Sequence, residues 1–307
     1  MVWGACPAQT PAYEALQSIY AFRFDEYENR LAQLPEQKSP TATLLQLFYW
    51  RWKGVPVAYS TYRKSYVDRL NSFLTELEKQ SGNSSTIVYH QICTLLFLAE
   101  YHASLGQTWQ AVKFSQRAYP LISRVFEEQY TEPEFDFIRG LYLYYIDHYR
   151  QKSFFFRAAF LPFRDGDKTE GLRLLQLCAT RPSMAQVEAR IFLAHIYLHL
   201  ENKPAEALHY STLLSQSFPA NPKLQELHVE ALLENGHYEK ASPIASLLAT
   251  QADFYFACPG YFFLGRLAEQ SGQRANARSF YERCLSQEFR PIETYQKRAQ
   301  QRLRQLR

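Results

Sequence analysis

No apolar run in this sequence approaches the ~20 residues needed to span a bilayer. The longest, Ile92 to Ala103, is broken by Thr94, Glu100 and His102 and reads as a core helix. No P-loop, G-x-G-x-x-G, G-x-S-x-G or H-E-x-x-H spacing occurs. The phosphate cradle, nucleophile elbow and zinc helix that those spacings build are therefore not supported. The five cysteines, Cys6, Cys93, Cys178, Cys258 and Cys284, form no C-x-x-C pair. A zinc knuckle or dithiol motif has no basis, and the cysteines read as buried small hydrophobes. Net charge is only +4, which is modest for a nucleic-acid binder. No catalysis and no cofactor are expected.

What is present is apolar and periodic. Hydrophobic residues make up 47% of the 307, which excludes general disorder, and aromatics reach 16%, with 22 Tyr and 22 Phe. Between Ala189 and Leu285 three segments align, AEALHYSTLLSQSFP from Ala205, YEKASPIASLLA from Tyr238 and ANARSFYERCL from Ala275. Their landmarks Ala207, Ala241 and Ala277 recur every 34 to 36 residues, each five places after a turn residue, Asn202, Gly236 or Gly272. Short amphipathic helices are marginal alone, so each must bury its stripe against a neighbour. Small residues such as Gly265 and Ala277 let paired helices approach, and glycine or asparagine suits the left-handed helix end. Pro204 and Pro259 sit where first-turn prolines are tolerated, whereas Pro162 and Pro243 should kink or shorten their helices.

The third segment, Tyr261-x-x-Leu264-Gly265-x-x-Ala268 followed by Ala277-x-x-x-Tyr281, resembles the tetratricopeptide repeat (TPR) pattern. Leu95, Leu98, Ala99, Gly106, Ala111 and Ala118 match the same places further upstream. The resemblance implies an all-α fold, a right-handed α-α superhelix or solenoid of antiparallel helix pairs. It implies residues 10–80 as divergent hairpins, 86–290 as the repeat array and 291–307 as a capping helix. Gln80 to Ser85 is the clearest polar boundary.

In that family the first helix of each pair lines a concave groove that holds a peptide or protein. The matching places here are Leu96 and Glu100, then Phe192, Ile196 and His199. They continue with Glu226, Glu230 and Leu233, then Phe262, Arg266 and Glu269. Glu100 and Glu230 stand where chaperone-binding members carry cations or asparagine, which disfavours an acidic chaperone tail as partner. The runs Tyr20 to Glu26 and Asp165 to Leu175 are similar to exported bacterial TPR proteins of unassigned role. The first nine residues read as the tail of an export signal. That reading implies a periplasmic or extracellular chain; without it the chain is cytoplasmic.

Three other stretches invite chemistry. Arg164 to Glu170 places two carboxylates around Gly166, but Thr169 and Gln176 fall where a calcium loop needs oxygen ligands. The segment reads as a turn with Asp167 capping and Glu170 closing a capping box, and Ser183 with Gln186 repeats that pattern. His195 and His199 have a metal-compatible spacing but read as packed helix residues. The rings between Phe135 and Phe163, with Arg139, His148 and Arg157, offer an alternative small-ligand or glycan site if exposed. Lys297, Arg298, Arg302, Arg304 and Arg307 make the last helix an alternative nucleic-acid contact.

Overall fold

The computed structural model describes residues 10–34, 39–80, 84–128, 130–152 and 163–306. The export reading at 1–9, Cys6, Phe154 to Phe156, Arg157, Phe160, Pro162 and Arg307 lie outside them. All regular structure among the described residues is helical. The described residues form fifteen α-helices, in order: α1 Pro11–Tyr20, α2 Phe24–Ala32, α3 Pro40–Lys53, α4 Arg63–Lys79, α5 Ser85–Ser104, α6 Thr108–Glu127, α7 Pro133–Lys152, α8 Lys168–Thr180, α9 Gln186–His195, α10 Pro204–Ser217, α11 Pro222–Glu234, α12 Tyr238–Ala249, α13 Phe254–Gln270, α14 Arg274–Cys284 and α15 Glu293–Gln305. Among the described residues no helix is long and apolar enough to cross a membrane.

The chain divides into two compact units, Met1–Arg190 and Ile191–Arg307, with the division inside α9. In the first unit helices pack against their sequence neighbours, and α3 also touches α1 and α5. Of the polar stretch expected as a boundary at 80–85, residues 81–83 lie outside the described residues, and the helices on its two sides, α4 and α5, pack together. In the second unit α10 to α15 pack in sequence, and α11 with α13 and α13 with α15 add contacts that skip one helix.

One turn recurs four times. Gly106, Asn202, Gly236 and Gly272 have φ of 71°, 52°, 73° and 71°. The residues after them, Gln107, Lys203, His237 and Gln273, all have ψ between 56° and 74° and cap the next helix without a side-chain bond. Their N–H groups turn back onto the first helix: Gln107 to His102, His237 to Leu232 and Gln273 to Ala268, each five residues back. This satisfies carbonyls that a helix end leaves open. Lys203 reaches six back, to Tyr197, because a π turn at Ile196–Leu200 inserts one residue before Asn202.

Register follows from these turns. The fourth residue of α6, α8, α10, α12 and α14 is small: Ala111, Gly171, Ala207, Ala241 and Ala277. Each donates its N–H to the capping residue's carbonyl at 2.8–3.2 Å. Ala207, Ala241 and Ala277 are fully buried, where a larger side chain would hold the helices apart. Gly265 lies against the Tyr281 ring and Gly260 against the Ala249 backbone, so even one methyl at either glycine would overlap its neighbour.

Caps follow the sequence in part. Thr10 and Ser39 each accept from an N–H three residues on, at 3.2 Å, and Asp167 accepts from Glu170 at 3.0 Å. The capping boxes do not close, because Glu170 pairs with Arg173 and Gln186 accepts from Tyr13. Pro259 is not in a first turn: Asp253 caps α13, bonding the Tyr255 N–H, and places Pro259 inside the helix. Pro243 likewise lies within α12, which runs on to Ala249.

A candidate binding face on the second unit

The face predicted for partner binding is organised by α11. Glu226, Glu230 and Glu234 are spaced four apart, so their carboxylates fall on one side of that helix. Like charges at this spacing destabilise an isolated helix. Here each has its own partner. Glu226 accepts from Tyr295 Oη at 2.8 Å and from Lys223 Nζ at 2.6 Å. Glu230 accepts from Arg298 at 2.8 Å, with His199 Nε2 3.8 Å away. Glu234 accepts from Arg266 at 2.6 Å. The next turn of the ladder is Glu269, which accepts from Tyr281 Oη at 3.0 Å and lies 3.5 Å from Arg302.

α15 therefore supplies a row of hydrogen-bond donors, Tyr295, Arg298 and Arg302, to carboxylates on α11 and α13. The Arg298 guanidinium also lies over the Phe262 ring at 4.6 Å, and Tyr295 packs on Phe262 with ring centroids 5.5 Å apart. Such stacking on a planar cation is a use that arginine suits better than lysine. Burial of Tyr295, then the two glutamates beside it, raises its phenol well above the ordinary value, so it remains a donor.

The nine expected contact residues divide accordingly. Ile196, Leu233 and Phe262 are buried among neighbouring helices, and Glu226 and Glu230 are buried in the ladder. Phe192, Arg266 and Glu269 are half-buried and His199 is exposed. Arg266 and Glu269, with Leu233, Tyr238, Gln270 and Arg302, line a cleft of about 240 Å³. The first unit shows the same arrangement at the place matched by Glu100. Arg51 clasps Glu100 with two bonds of 2.8 and 3.0 Å and reaches Glu188 at 3.1 Å, while Tyr20 Oη donates to Glu188 at 2.7 Å. Leu96 beside it is half-buried.

Residue counting named Glu100, Glu226, Glu230, Arg266 and Glu269 and missed Arg51, Glu188, Glu234 and Tyr295, while Arg298 and Arg302 were expected only as a nucleic-acid contact. A signal for part of the set was present: an acidic stripe at every fourth residue of α11, and arginines four apart at 298 and 302.

The other stretches are placed as follows. Phe135, Phe137, Tyr142 and Tyr144 are buried, and Arg139 is spent on Asp136 and the Tyr130 carbonyl. Of the C-terminal cations, Lys297 pairs with Glu293, Arg298 with Glu230 and Arg302 with Glu269, while Arg304 is exposed. The His195 and His199 rings are 5.5 Å apart, and no group of three metal-ligating side chains occurs among the described residues. No protein-family model matches this chain, and comparison with curated proteins gives no match.

Proposed function

We propose that the second unit is a TPR-like array whose first-helix face holds a protein or peptide partner without catalysing a reaction. The observation that carries this reading is the half-exposed rim of paired charges, Arg266, Glu269 and Arg302, around the cleft beside Leu233 and Tyr238. Ion pairs in such a rim contribute little to stability, so an incoming peptide can exchange them for its own at small cost. The recurrent turn supports the repeat reading, since one backbone solution serves four helix pairs. In this scheme Ile196, Leu233, Phe262, Glu226 and Glu230 form a rigid base. Phe192, His199, Arg266 and Glu269 make the contacts.

The test is selection of peptides from a random displayed library on the full chain. Selected peptides should bind wild type and the distant surface variant Leu247→Ser alike, and should lose at least about tenfold on Arg266→Glu, roughly the 1.4 kcal/mol of a rim charge reversed. No enrichment, or binding indifferent to both Arg266→Glu and Glu269→Arg, sinks the proposal.

A further inference from the structure

The last helix pair brings two cysteines together that lie far apart in sequence. Cys258 on α13 and Cys284 at the end of α14 are each fully buried, with Sγ atoms 2.8 Å apart. The Cys258 thiol also lies 3.5 Å from the Cys284 carbonyl, so the side chain is already turned toward its partner. Gly265 and Tyr281 meet nearer the turn. The two thiols meet further from it. We propose that Cys258 and Cys284 form a disulfide that ties the open end of this hairpin.

The remaining described cysteines set the contrast. Cys178 occupies the matching place in its own helix, seven residues after Gly171 as Cys284 is seven after Ala277. Its sulfur faces a hydroxyl, Ser183 Oγ, at 3.9 Å. Burial pushes the Cys93 and Cys178 thiols up to about 12, and the neighbouring Cys284 followed by burial raises Cys258 as well, so none of the three is a ready thiolate in the folded chain. Among the described cysteines, only the last pair has a second sulfur within reach.

The chemistry is thiol–disulfide exchange with a disulfide-bearing donor, a small molecule such as glutathione disulfide or a protein oxidant. One cysteine thiolate attacks the donor disulfide and releases one donor thiol. The second attacks the mixed disulfide, forms the Sγ–Sγ bond and expels the other donor thiol. Two electrons and two protons pass from the cysteines to the donor. Because both sulfurs are buried once the hairpin closes, exchange takes place while α13 and α14 are still opening or folding. The finished bond is then shielded from reductant.

The full chain, unfolded in reductant and refolded in a mixture of glutathione and glutathione disulfide, should be labelled with N-ethylmaleimide in denaturant. Wild type is expected to take up three labels on its five cysteines, with peptides containing Cys258 and Cys284 linked on non-reducing digestion. Cys258→Ser should take up four labels. Five labels on wild type, or linkage through any other cysteine pair, overturns the proposal. The wild-type digest needs no variant, so it decides the matter even where the Cys258→Ser chain fails to fold.

Discussion

Arg298→Ala isolates the link between α15 and the acidic stripe. It leaves Glu230, whose side chain is 8% exposed, with only His199 at 3.8 Å. Stranding one partner of a fully buried ion pair costs ~3–5 kcal/mol. The Arg298 side chain is itself 35% exposed, so water enters the vacated space and the loss falls to about 2 kcal/mol. Losing the stack over Phe262 adds ~0.5 kcal/mol. Urea unfolding at pH 7 should therefore show a loss of about 2–3 kcal/mol, and Glu230→Gln on that background should restore part of it, with a coupling of at least ~1 kcal/mol. Far-UV circular dichroism is the readout, because all four tryptophans precede residue 110 and belong to the first unit. A change below ~0.5 kcal/mol, or strict additivity of the two substitutions, would refute the account of a closed ladder.

Three further outcomes are expected. Gly260→Ala places a methyl into the Ala249 backbone and should cost at least ~3 kcal/mol, whereas Gly236→Ala, with open space around it and φ of 73°, should cost ~1 kcal/mol; chemical denaturation compares them. Burial lowers His90 to about 4, and its Nδ1 has no hydrogen-bond partner among the described residues. A depressed histidine stabilises the fold above its unfolded value of ~6.5 and loses that contribution as pH falls toward 4, about 3 kcal/mol in all. Glu134 beside the same small cavity, its carboxyl raised by burial, acts in the opposite sense, so the slope lost in His90→Leu is the quantity to measure. Asn221→Ala removes a fully buried cap that accepts from the Lys223 and Leu224 N–H groups, and should lower the thermal midpoint by an amount matching ~1–2 kcal/mol.

Much of the local structure was legible because it rests on local physics. Asp167 caps its helix, and Gly236 and Gly272 end theirs, since few other residues tolerate those conformations. The small residues at 207, 241 and 277 sit in one register because helix contact distance leaves room for nothing larger. The misplacements have non-local causes. Pro259 reads as a helix start only until Asp253 is seen to begin the helix earlier. The π turn has no one-residue signature. The same limit applies to the candidate face. Counting along the repeat located Glu226, Glu230 and Glu269, but whether each faces solvent depends on where Tyr295, Arg298 and Arg302 dock, nearly seventy residues later for the first two.

That distance also bears on how the protein is made. Each hairpin closes through contacts between near neighbours and can form within microseconds as its chain emerges. Glu226 has Lys223 beside it on α11 and Glu234 gains Arg266 with α13, but Glu230 must wait for Arg298, and Glu226 for Tyr295, until α15 has been synthesised. At ordinary elongation rates that interval lasts several seconds, during which a nascent chain presents an acidic surface that the finished protein hides.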